Sequence, residues 1–253
     1  MKLGKDTSAV VTGGASGLGS AVAQALVAQG VKVTLIDRDA DKGNARARAL
    51  GAVFAQADVT DAQSVADALC VARAANGQER ICINCAGIAP AAKTVGRDGA
   101  HDLALFQAVI NVNLIGSFNV SSQSAAGMVA AGFDADCAGV IINTASIAAY
   151  EGQIGQVAYA ASKGGVVGLT LPMARDLARN KIRVMAIAPG IFGTPMVTSM
   201  PQELQDALAA GIPNPARLGD PQEFASLALH IIENDFLNGS VIRLDGAARL
   251  APK

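Results

Sequence analysis

The sequence predicts an α/β fold: a single-domain, doubly wound parallel sheet of about seven strands with helices on both faces. Three observations support this fold class. Short, almost wholly apolar runs recur along the chain, as in strands that are covered on both sides. The segments between them have the apolar spacing of helices, and a glycine-rich turn directly follows the first run. Such alternation is typical of a doubly wound sheet.

The strands follow in order from the apolar runs. The seven predicted strands are Ser8–Thr12, Val31–Ile36, Val53–Ala55, Ile81–Asn84, Val140–Thr144, Ile182–Ile187 and Val241–Leu244. The third run is the weakest. After Asp61, Val65, Leu69 and Ala72 repeat at helical spacing. No proline- or serine-rich linker divides the sequence, so residues 1–253 are predicted to form one domain.

Size and charge exclude several classes of protein. The chain has 253 residues and 51% hydrophobic content, enough for one large core. Lys plus Arg (20) nearly balance Asp plus Glu (21), so the basic surplus of a nucleic-acid surface is lacking. No uninterrupted apolar run reaches the roughly 18–20 residues that cross a bilayer, and residues 1–6 lack a signal-peptide pattern. We expect a cytoplasmic protein, or a mitochondrial matrix protein in a eukaryote, that contacts neither membrane nor nucleic acid directly.

Two of the four cysteines form a C-x-x-C motif, which can indicate a redox or zinc site. Cys82 and Cys85 fall in the short apolar run 81–85, which is typical of a buried strand, and an odd separation on a strand sends their side chains to opposite faces. A zinc site would need further ligands, and the only histidines are His101 and His230. We therefore expect small buried thiols and no metal site.

The turn after the first strand suits a dinucleotide phosphate. Gly13, Gly17 and Gly19 would let the backbone approach a pyrophosphate closely. The helix that follows would present unpaired N–H groups and positive potential. The spacing G-x-x-x-G-x-G is neither the standard dinucleotide fingerprint nor a P-loop. Taken alone, the turn is also compatible with an ordinary strand-to-helix connection.

Asp37 strengthens the nucleotide interpretation because it ends the second predicted strand, where a ribose-binding acid is expected. A carboxylate there would accept hydrogen bonds from the adenosine ribose and repel a 2′-phosphate, which favours NAD over NADP. The adjacent Arg38 would soften that repulsion. Asp58 ends the third strand, where it would bond the adenine amino group. Alternatively it caps the next helix, a role for which Asp61 competes.

Tyr159 and Lys163 are the leading candidates for catalysis. They are four residues apart and would share one face of a helix. A free tyrosine has a pKa near 10, and a cation about 4 Å away contributes about 4 kcal/mol at an effective dielectric near 20. That interaction would lower the pKa of the phenol toward neutral pH, where an acid/base is most useful. Ser146 ends a predicted strand thirteen residues upstream. Taken alone, Ser146 fits better as a polar residue that ends a buried strand, and Tyr159 is also compatible with a helix aromatic whose hydroxyl lies at the surface.

Together these motifs resemble the short-chain dehydrogenases/reductases over nearly the whole chain. The segments that carry the resemblance are Thr12–Gly19, Asn84–Gly87, Asn113, Ser146, Tyr159-x-x-x-Lys163 and Pro189–Gly190. Cys85 departs from the family pattern, which usually has a second Asn. The resemblance implies a Rossmann-type fold, NAD-dependent hydride transfer on an alcohol or ketone, and a homotetramer, for which Val241–Leu244 is a candidate interface strand.

The resemblance also implies roles for individual residues. Tyr159 would exchange a proton with the substrate oxygen, Lys163 would lower the pKa of Tyr159 and bond the nicotinamide ribose, and Ser146 would donate a hydrogen bond to the substrate. Asn113 would hold a water that relays protons, although a buried Asn bonded to backbone is the plain alternative. The predicted cofactor-binding residues are Gly13, Ser16, Gly17, Leu18, Gly19, Asp37, Asp58, Val59, Cys85, Ala86, Gly87, Tyr159, Lys163, Pro189, Phe192 and Thr194.

Longer strings resemble one branch of the family, in which Cys85 is no longer unusual. These strings are residues 84–89, 140–146, 217–221 and 236–246. The branch implies interconversion of 3-hydroxyacyl-CoA and 3-ketoacyl-CoA. An alternative substrate is a hydroxysteroid or another bulky secondary alcohol. A more remote alternative is a scaffold subunit of an RNA-processing complex.

The substrate site should lie between two loops. Gln153, on the loop before Tyr159, would bond a polar substrate group or remain solvated. Residues 189–215 are predicted to form a lid with glycine hinges. Its residues Ile191, Phe192 and Thr194 should cover the nicotinamide, and Leu204 and Leu208 should present an apolar wall. Possible donors to CoA phosphates are Lys93, Arg97 and Arg217.

Overall fold

A seven-stranded parallel sheet forms the centre of the computed structural model, which describes residues 1–97 and 99–252. The strands, in chain order, are β1 Ser8–Thr12, β2 Lys32–Asp37, β3 Val53–Gln56, β4 Ile81–Asn84, β5 Gly139–Thr144, β6 Ile182–Pro189 and β7 Val241–Leu244. The sheet order is β3-β2-β1-β4-β5-β6-β7. The strand order reverses between β1 and β4, which creates the crevice where α/β sheets bind ligands. The predicted fold class and all seven strands are confirmed.

Helices cover both faces of the sheet. They are α1 Gly17–Ala28, α2 Ala40–Leu50, α3 Ala62–Asn76, α4 Leu103–Ile110, α5 Gly116–Ala131, α6 Val157–Asp176, α7 Pro195–Thr198, α8 Gln202–Ala210 and α9 Pro221–Glu233. One core contains side chains of α1, α2 and α9, including Leu26 and Phe224. The core on the opposite face contains side chains of α3, α5 and α6, including Leu69 and Met128. The wholly apolar strands are explained because β1 to β6 each contribute side chains to both cores.

Aspartates begin several of these helices. The side chains of Asp39, Asp61 and Asp102 accept backbone N–H bonds at the starts of α2, α3 and α4. At α9, Asp220 and Glu223 form a reciprocal capping box. These caps satisfy N–H groups that have no partner within the helix.

Helices α4 and α5 are joined by the π-helical turn Asn111–Ile115 into one helix of 29 residues. By length and composition alone, this helix is long and apolar enough to cross a membrane. In this fold it packs against the sheet through Val120 and Met128. Its buried serines are bonded within the protein; for example, Ser124 Oγ donates to Glu79 Oε1 at 2.9 Å. The helix is therefore one layer of the α/β fold.

Two segments between the regular elements border the site. After β4, residues Val95–Gly96 and Gly99–Ala100 pair as a short antiparallel hairpin. After β6, the predicted lid contains α7 and α8, with Leu204 54% exposed and no residue of α8 buried. That this segment moves as a lid stays a prediction.

Candidate active site

The carboxyl ends of the central strands bring the predicted site together. β1 leads into the glycine turn, β4 into Cys85–Gly87, β5 into Ser146 and β6 into Gly190. These strands are neighbours in the sheet and point the same way. Segments more than 170 residues apart in sequence therefore meet at one edge.

Ser146 and Tyr159 lie at opposite ends of one loop, and their side chains are neighbours. The Ser146 hydroxyl accepts a hydrogen bond from Ala148 N at 3.1 Å and begins the 3-10 turn Ile147–Ala149. Tyr159 lies in the first turn of α6. Its phenol interacts with the Ser146 side chain, which favours the ionised form. The two side chains therefore lie beside each other in the site.

Lys163 lies one helical turn beyond Tyr159 and is buried, with 4% of its surface exposed. Its Nζ donates to the carbonyl of Thr144 at 2.7 Å and lies 5.8 Å from the centre of the Tyr159 ring. Burial lowers the pKa of this amine to about 8, and Cys85 acts slightly in the opposite direction. The prediction from the i, i+4 spacing is confirmed, because the Lys163 amine lies beside the Tyr159 ring.

The expected fall in the pKa of Tyr159 is not found in this structure. Burial raises the pKa of the phenol above its ordinary value, and only the Ser146 hydroxyl opposes that rise. The estimate from the sequence assumed a cation about 4 Å from the phenol oxygen, whereas Lys163 is bonded to a strand carbonyl. Desolvation disfavours the phenolate more than one hydrogen bond favours it. The chain alone therefore holds Tyr159 as a neutral phenol at pH 7.

Asn113 is wholly buried, and its side chain is occupied by protein partners. Its Oδ1 accepts from Ile88 N at 2.8 Å, and its Nδ2 donates to Ile88 O at 2.9 Å and Ser162 Oγ at 3.0 Å. The geometry therefore matches the plainer alternative for this side chain, a buried Asn bonded to backbone. Asn113 fixes the segment after β4 against α6, and a water held by this residue stays a prediction.

Close backbone contacts require glycine in this turn. A Cβ on Gly13, whose φ is +63°, would lie 2.8 Å from Ala86 N. A Cβ on Gly19 would lie 2.4 Å from Gly13 O. Gly17 has φ +54°, and its Cα faces Thr194 of the predicted lid. Only glycine permits this approach of strand, turn and helix.

The turn also leaves the start of α1 available. Ser16 is the N-cap residue but makes no side-chain capping bond, so the first N–H groups of α1 lack that partner. Leu18 packs against the adjoining core. An exposed, uncapped helix start beside close-packed glycines fits the pyrophosphate of a dinucleotide.

Asp37 is fixed against the glycine turn. Its two carboxylate oxygens accept from Ala15 N and Asp39 N, both at 3.1 Å. The carboxylate lies beside the turn, as a ribose-binding acid should.

The sequence left open whether Asp58 or Asp61 caps the helix after β3, and the structure distinguishes them. Asp61 caps α3 through Gln63 N and Ser64 N. Asp58 is exposed and its Oδ1 accepts from Thr60 N and Thr60 Oγ1, which lowers the pKa of its carboxyl. The capping alternative for Asp58 is therefore wrong, whereas its contact with adenine stays a prediction. Val59, the next predicted cofactor residue, is buried against Gly116.

Thr12 and Thr144 are site residues that the sequence analysis missed. The hydroxyl of Thr12 accepts from Cys85 N and Ala86 N, both at 3.2 Å, and so holds the two predicted cofactor segments together. Thr144 supplies the carbonyl for Lys163, and its hydroxyl donates to Cys85 Sγ at 3.3 Å. Both threonines end strands; Thr12 also begins the glycine-rich motif, but neither was assigned a role of its own.

Cys82 and Cys85 are not paired. The Cys82 side chain belongs to one core and the Cys85 side chain packs against the other, so they lie on opposite faces of the sheet. Burial raises the pKa of Cys82 to about 12 and that of Cys85 to about 11. The expectation of a small buried thiol is confirmed for Cys82, whereas Cys85 is half-buried.

The beginning of the predicted lid contacts both the core and the glycine turn. Pro189 ends β6, and Gly190 packs directly against Asp245. The Phe192 ring is largely buried, edge-on to Phe224 at 6.3 Å, and its contact with the nicotinamide stays a prediction. Thr194 does lie against the turn at Gly17.

Gln153 does not direct its amide nitrogen into the cleft. Its Nε2 donates to Ala251 O at 3.1 Å, and Ile154 N donates to Pro252 O at 3.0 Å. The C-terminal tail therefore binds the substrate loop, and a contact between Gln153 and the substrate stays a prediction. The tail was missed because it carries no recognisable motif.

Similarity to known proteins agrees with this geometry. The sequence model of the family described as short chain dehydrogenase matches residues 7–205. The chain is 54% identical to 3-hydroxyacyl-CoA dehydrogenase type-2 from Bos taurus and from Homo sapiens, covering 98% of this chain and 97% of each relative. A crystal structure of 3-hydroxyacyl-CoA dehydrogenase type-2 from Mycobacterium avium has a TM-score of 0.93 and 44% identity over 98% of both chains. The chain belongs to the short-chain dehydrogenase family.

Proposed function

We propose that this chain is an NAD-dependent dehydrogenase that interconverts 3-hydroxyacyl-CoA and 3-ketoacyl-CoA. The observation that carries the proposal is the meeting of Ser146, Tyr159 and Lys163 in a chain 54% identical, nearly end to end, to relatives named for that activity. An oxidoreductase of this family acts on a CH–OH group. The substrate named for these relatives is the best-supported choice for this chain.

The residues of the chain divide the chemistry as follows. A bound nicotinamide supplies the acceptor or donor of hydride. Tyr159 transfers the proton, and Ser146 donates a hydrogen bond to the substrate oxygen. Because burial keeps Tyr159 protonated, it is ready to protonate the oxygen during ketone reduction. Alcohol oxidation requires the phenolate, which the Ser146 hydroxyl favours.

NAD is the proposed form of the nicotinamide cofactor. Asp37 is held beside the glycine turn by two backbone N–H groups. A carboxylate in that position suits ribose hydroxyls and repels a phosphate. Comparison of kcat/KM with NAD and with NADP tests this choice, and a preference for NADP would contradict it.

Two further features are proposed. Residues 189–215 act as a lid over the cleft, supported by the exposure of α8 and the approach of Thr194 to Gly17. The protein forms a homotetramer, supported by exposed apolar side chains such as Phe118 (52%) and Phe236 (99%) and by the edge position of β7. Analytical ultracentrifugation at micromolar concentration should give a tetramer; a monomer would contradict this proposal.

The functional proposal is tested by following NAD reduction with a panel of substrates. The panel contains 3-hydroxyacyl-CoA thioesters of different length and branching, with hydroxysteroids and simple secondary alcohols in parallel. The highest kcat/KM should belong to a CoA thioester. A steroid alcohol that exceeds every thioester would assign the activity to the bulky-alcohol alternative, and turnover of none would refute the enzymatic proposal.

A further inference from the structure

Arg243 lies near the carboxyl end of β7, the edge strand beside β6, with 24% of its side chain exposed. All three guanidinium nitrogens donate hydrogen bonds. Nε donates to Asp245 Oδ2 at 2.7 Å, and Nη1 and Nη2 donate to the two carboxylate oxygens of Glu151 at 2.7 and 3.0 Å. Nη2 also donates to the carbonyl of Ala248 at 3.2 Å. This two-pronged geometry is specific to arginine, because a lysine ammonium is a single point charge.

These contacts join three segments that border the candidate active site. Glu151 belongs to the substrate loop, which runs between Ser146 and Tyr159. Asp245 packs against the end of β6, since a Cβ on Gly190 would lie 2.8 Å from its Cα. The third segment is the C-terminal tail, whose backbone carbonyl the same guanidinium binds. One side chain therefore sets the spacing between the substrate loop, the end of β6 and the tail.

Arg243 also separates two carboxylates. Glu151 and Asp245 each lie 2.7 Å from a nitrogen of the same guanidinium, so their negative charges would repel one another without it. Arg249 is 57% exposed and makes a weaker outer contact, with Nη1 3.2 Å from Asp245 Oδ2 and Nε 3.6 Å from Glu151 Oε1. The Tyr150 ring lies 5.2 Å from the guanidinium carbon of Arg243. Loss of Arg243 would therefore repel the substrate loop from the end of β7 instead of attaching it there.

A second two-pronged Arg–Glu pair lies at the opposite end of the sheet. Arg73 Nε and Nη2 donate to Glu79 at 3.0 and 2.8 Å, and Glu79 also accepts from Ser124 Oγ. This pair joins α3 and α5 to the amino end of β4, whereas the candidate active site follows the carboxyl ends of the strands. It provides an internal comparison, because its geometry matches that of Arg243 with Glu151 but its position serves the fold.

We propose that Arg243 is a positioning residue for the substrate, because it fixes the substrate loop against Gly190 and the C-terminal tail. Ser146 and Tyr159 depend less on this contact, since Ser146 follows β5 and Tyr159 belongs to α6. Arg243 therefore acts on how tightly the cleft holds the substrate and not on the proton transfer itself. The proposal rests on the dehydrogenase activity proposed above, and it adds a residue outside the reacting groups.

The test measures KM and kcat for the oxidation of 3-hydroxybutyryl-CoA in wild type and in variants of this contact. Arg243→Gln removes the charge, so KM should rise roughly tenfold as the loop moves, while kcat should stay within about twofold of wild type. Arg243→Lys retains the charge without the two-pronged geometry, and its KM should fall between those two values. Glu151→Gln breaks the same contact from the side of the loop, which keeps the test available if Arg243→Gln does not fold.

The double variant Arg243→Gln/Glu151→Gln tests the repulsion between the carboxylates. Once the Glu151 charge is removed, loss of Arg243 no longer leaves two carboxylates facing each other. The KM of the double variant should therefore equal that of Glu151→Gln within about twofold. A KM equal to the product of the two single effects would show that the residues act independently, and it would overturn the proposed coupling.

Arg73→Gln is the matched control, because it breaks the equivalent pair at the other end of the sheet. It leaves Glu79 buried without its cation, so it should lower stability in urea and leave KM unchanged. The positioning role is refuted if Arg73→Gln raises KM as much as Arg243→Gln does, or if Arg243→Gln keeps the KM of wild type.

Hydrogen exchange distinguishes failure of this proposal from failure of the enzymatic one. Amides of the substrate loop, including that of Ile154, should exchange faster in Arg243→Gln than in wild type, and amides of α1 should be unchanged. Unchanged exchange in the loop would refute the positioning role. A wild type that does not oxidise the thioester would refute the enzymatic proposal, and exchange in the loop would still decide whether Arg243 fixes it.

Discussion

The glycine turn and the substrate loop lie at the same edge of the sheet but are held in different ways. The turn is fixed largely from within the nucleotide half: Gly13 packs on Ala86, and Asp37 accepts from Ala15 N. The substrate loop is fixed from the far end of the chain. Ile154 N bonds Pro252 O, and Glu151 forms an ion pair with Arg243 at 2.7 Å.

The glycine turn and the substrate loop depend on different kinds of contact. The turn requires glycine, because a Cβ has no space at these positions, so any substitution there produces a steric clash. The loop depends on partners about a hundred residues away, so its position can be loosened without touching the sheet. We expect changes in the nucleotide half to damage both folding and cofactor binding, and changes around the loop to act mainly on the substrate.

The largest expected effect comes from Gly13→Ala. The new Cβ would lie 2.8 Å from Ala86 N at a φ of +63°. The left-handed conformation costs roughly 1–2 kcal/mol, and displacement of the adjacent peptide roughly 1–3 kcal/mol more. Urea denaturation and NAD titration should both show a loss.

Gly51→Ala is the matched control for that variant. Gly51 has φ +66° and nothing within 4 Å of its Cβ direction. It should lose only the roughly 1–2 kcal/mol of the left-handed conformation and keep its affinity for NAD. Equal losses in the two variants would show that the contact with Ala86 is unimportant.

The next effect concerns the buried charge of Lys163. Its pKa falls from an ordinary 10.5 to about 8 because burial disfavours the ammonium. Below pH 8 this group destabilises the folded chain by about 3 kcal/mol, and the penalty disappears as pH rises from 8 to 10.5. Lys163→Met should therefore be about 2 kcal/mol more stable at pH 7, after the lost bond to Thr144 offsets about 1 kcal/mol.

The stability gain of Lys163→Met should vanish by pH 10.5 and should be accompanied by loss of activity. Parallel urea denaturation of wild type and variant at pH 7, 9 and 10.5 measures the difference. A variant that is less stable than wild type at pH 7 would show that the Lys163 charge is compensated in the folded protein.

The smallest effect is expected at the C-terminal tail. Deletion of residues 250–253 removes the partners of Gln153 and Ile154 and the packing of Leu250 near Ile147. Two hydrogen bonds contribute roughly 1–3 kcal/mol, so KM for the substrate should rise about tenfold. The dissociation constant for NAD should stay unchanged. Weakened NAD binding of the same size would contradict the separation of the two regions.

The same contrast explains what the sequence could predict. The strands, Gly13, Asp37 and the spacing of Tyr159 with Lys163 follow from local patterns, and they are found where expected. The amide of Gln153, the ring of Phe192 and the roles of Thr12 and Thr144 depend on partners that local patterns do not identify. The raised pKa of Tyr159 was missed for the same reason, since the extent of burial and the bond from Lys163 to Thr144 depend on the assembled sheet.

The most direct test of the central claim compares the only two tyrosines of the chain. Tyr159→Phe and Tyr150→Phe are assayed for NADH formation from 3-hydroxybutyryl-CoA, with NAD binding measured separately. Tyr159→Phe should lose roughly 10²–10⁴-fold in kcat while retaining NAD binding, and Tyr150→Phe should remain close to wild type. Wild-type oxidation should also increase with pH, because the phenol must ionise. Retained turnover by Tyr159→Phe would contradict the assignment of Tyr159 as the proton-transferring group.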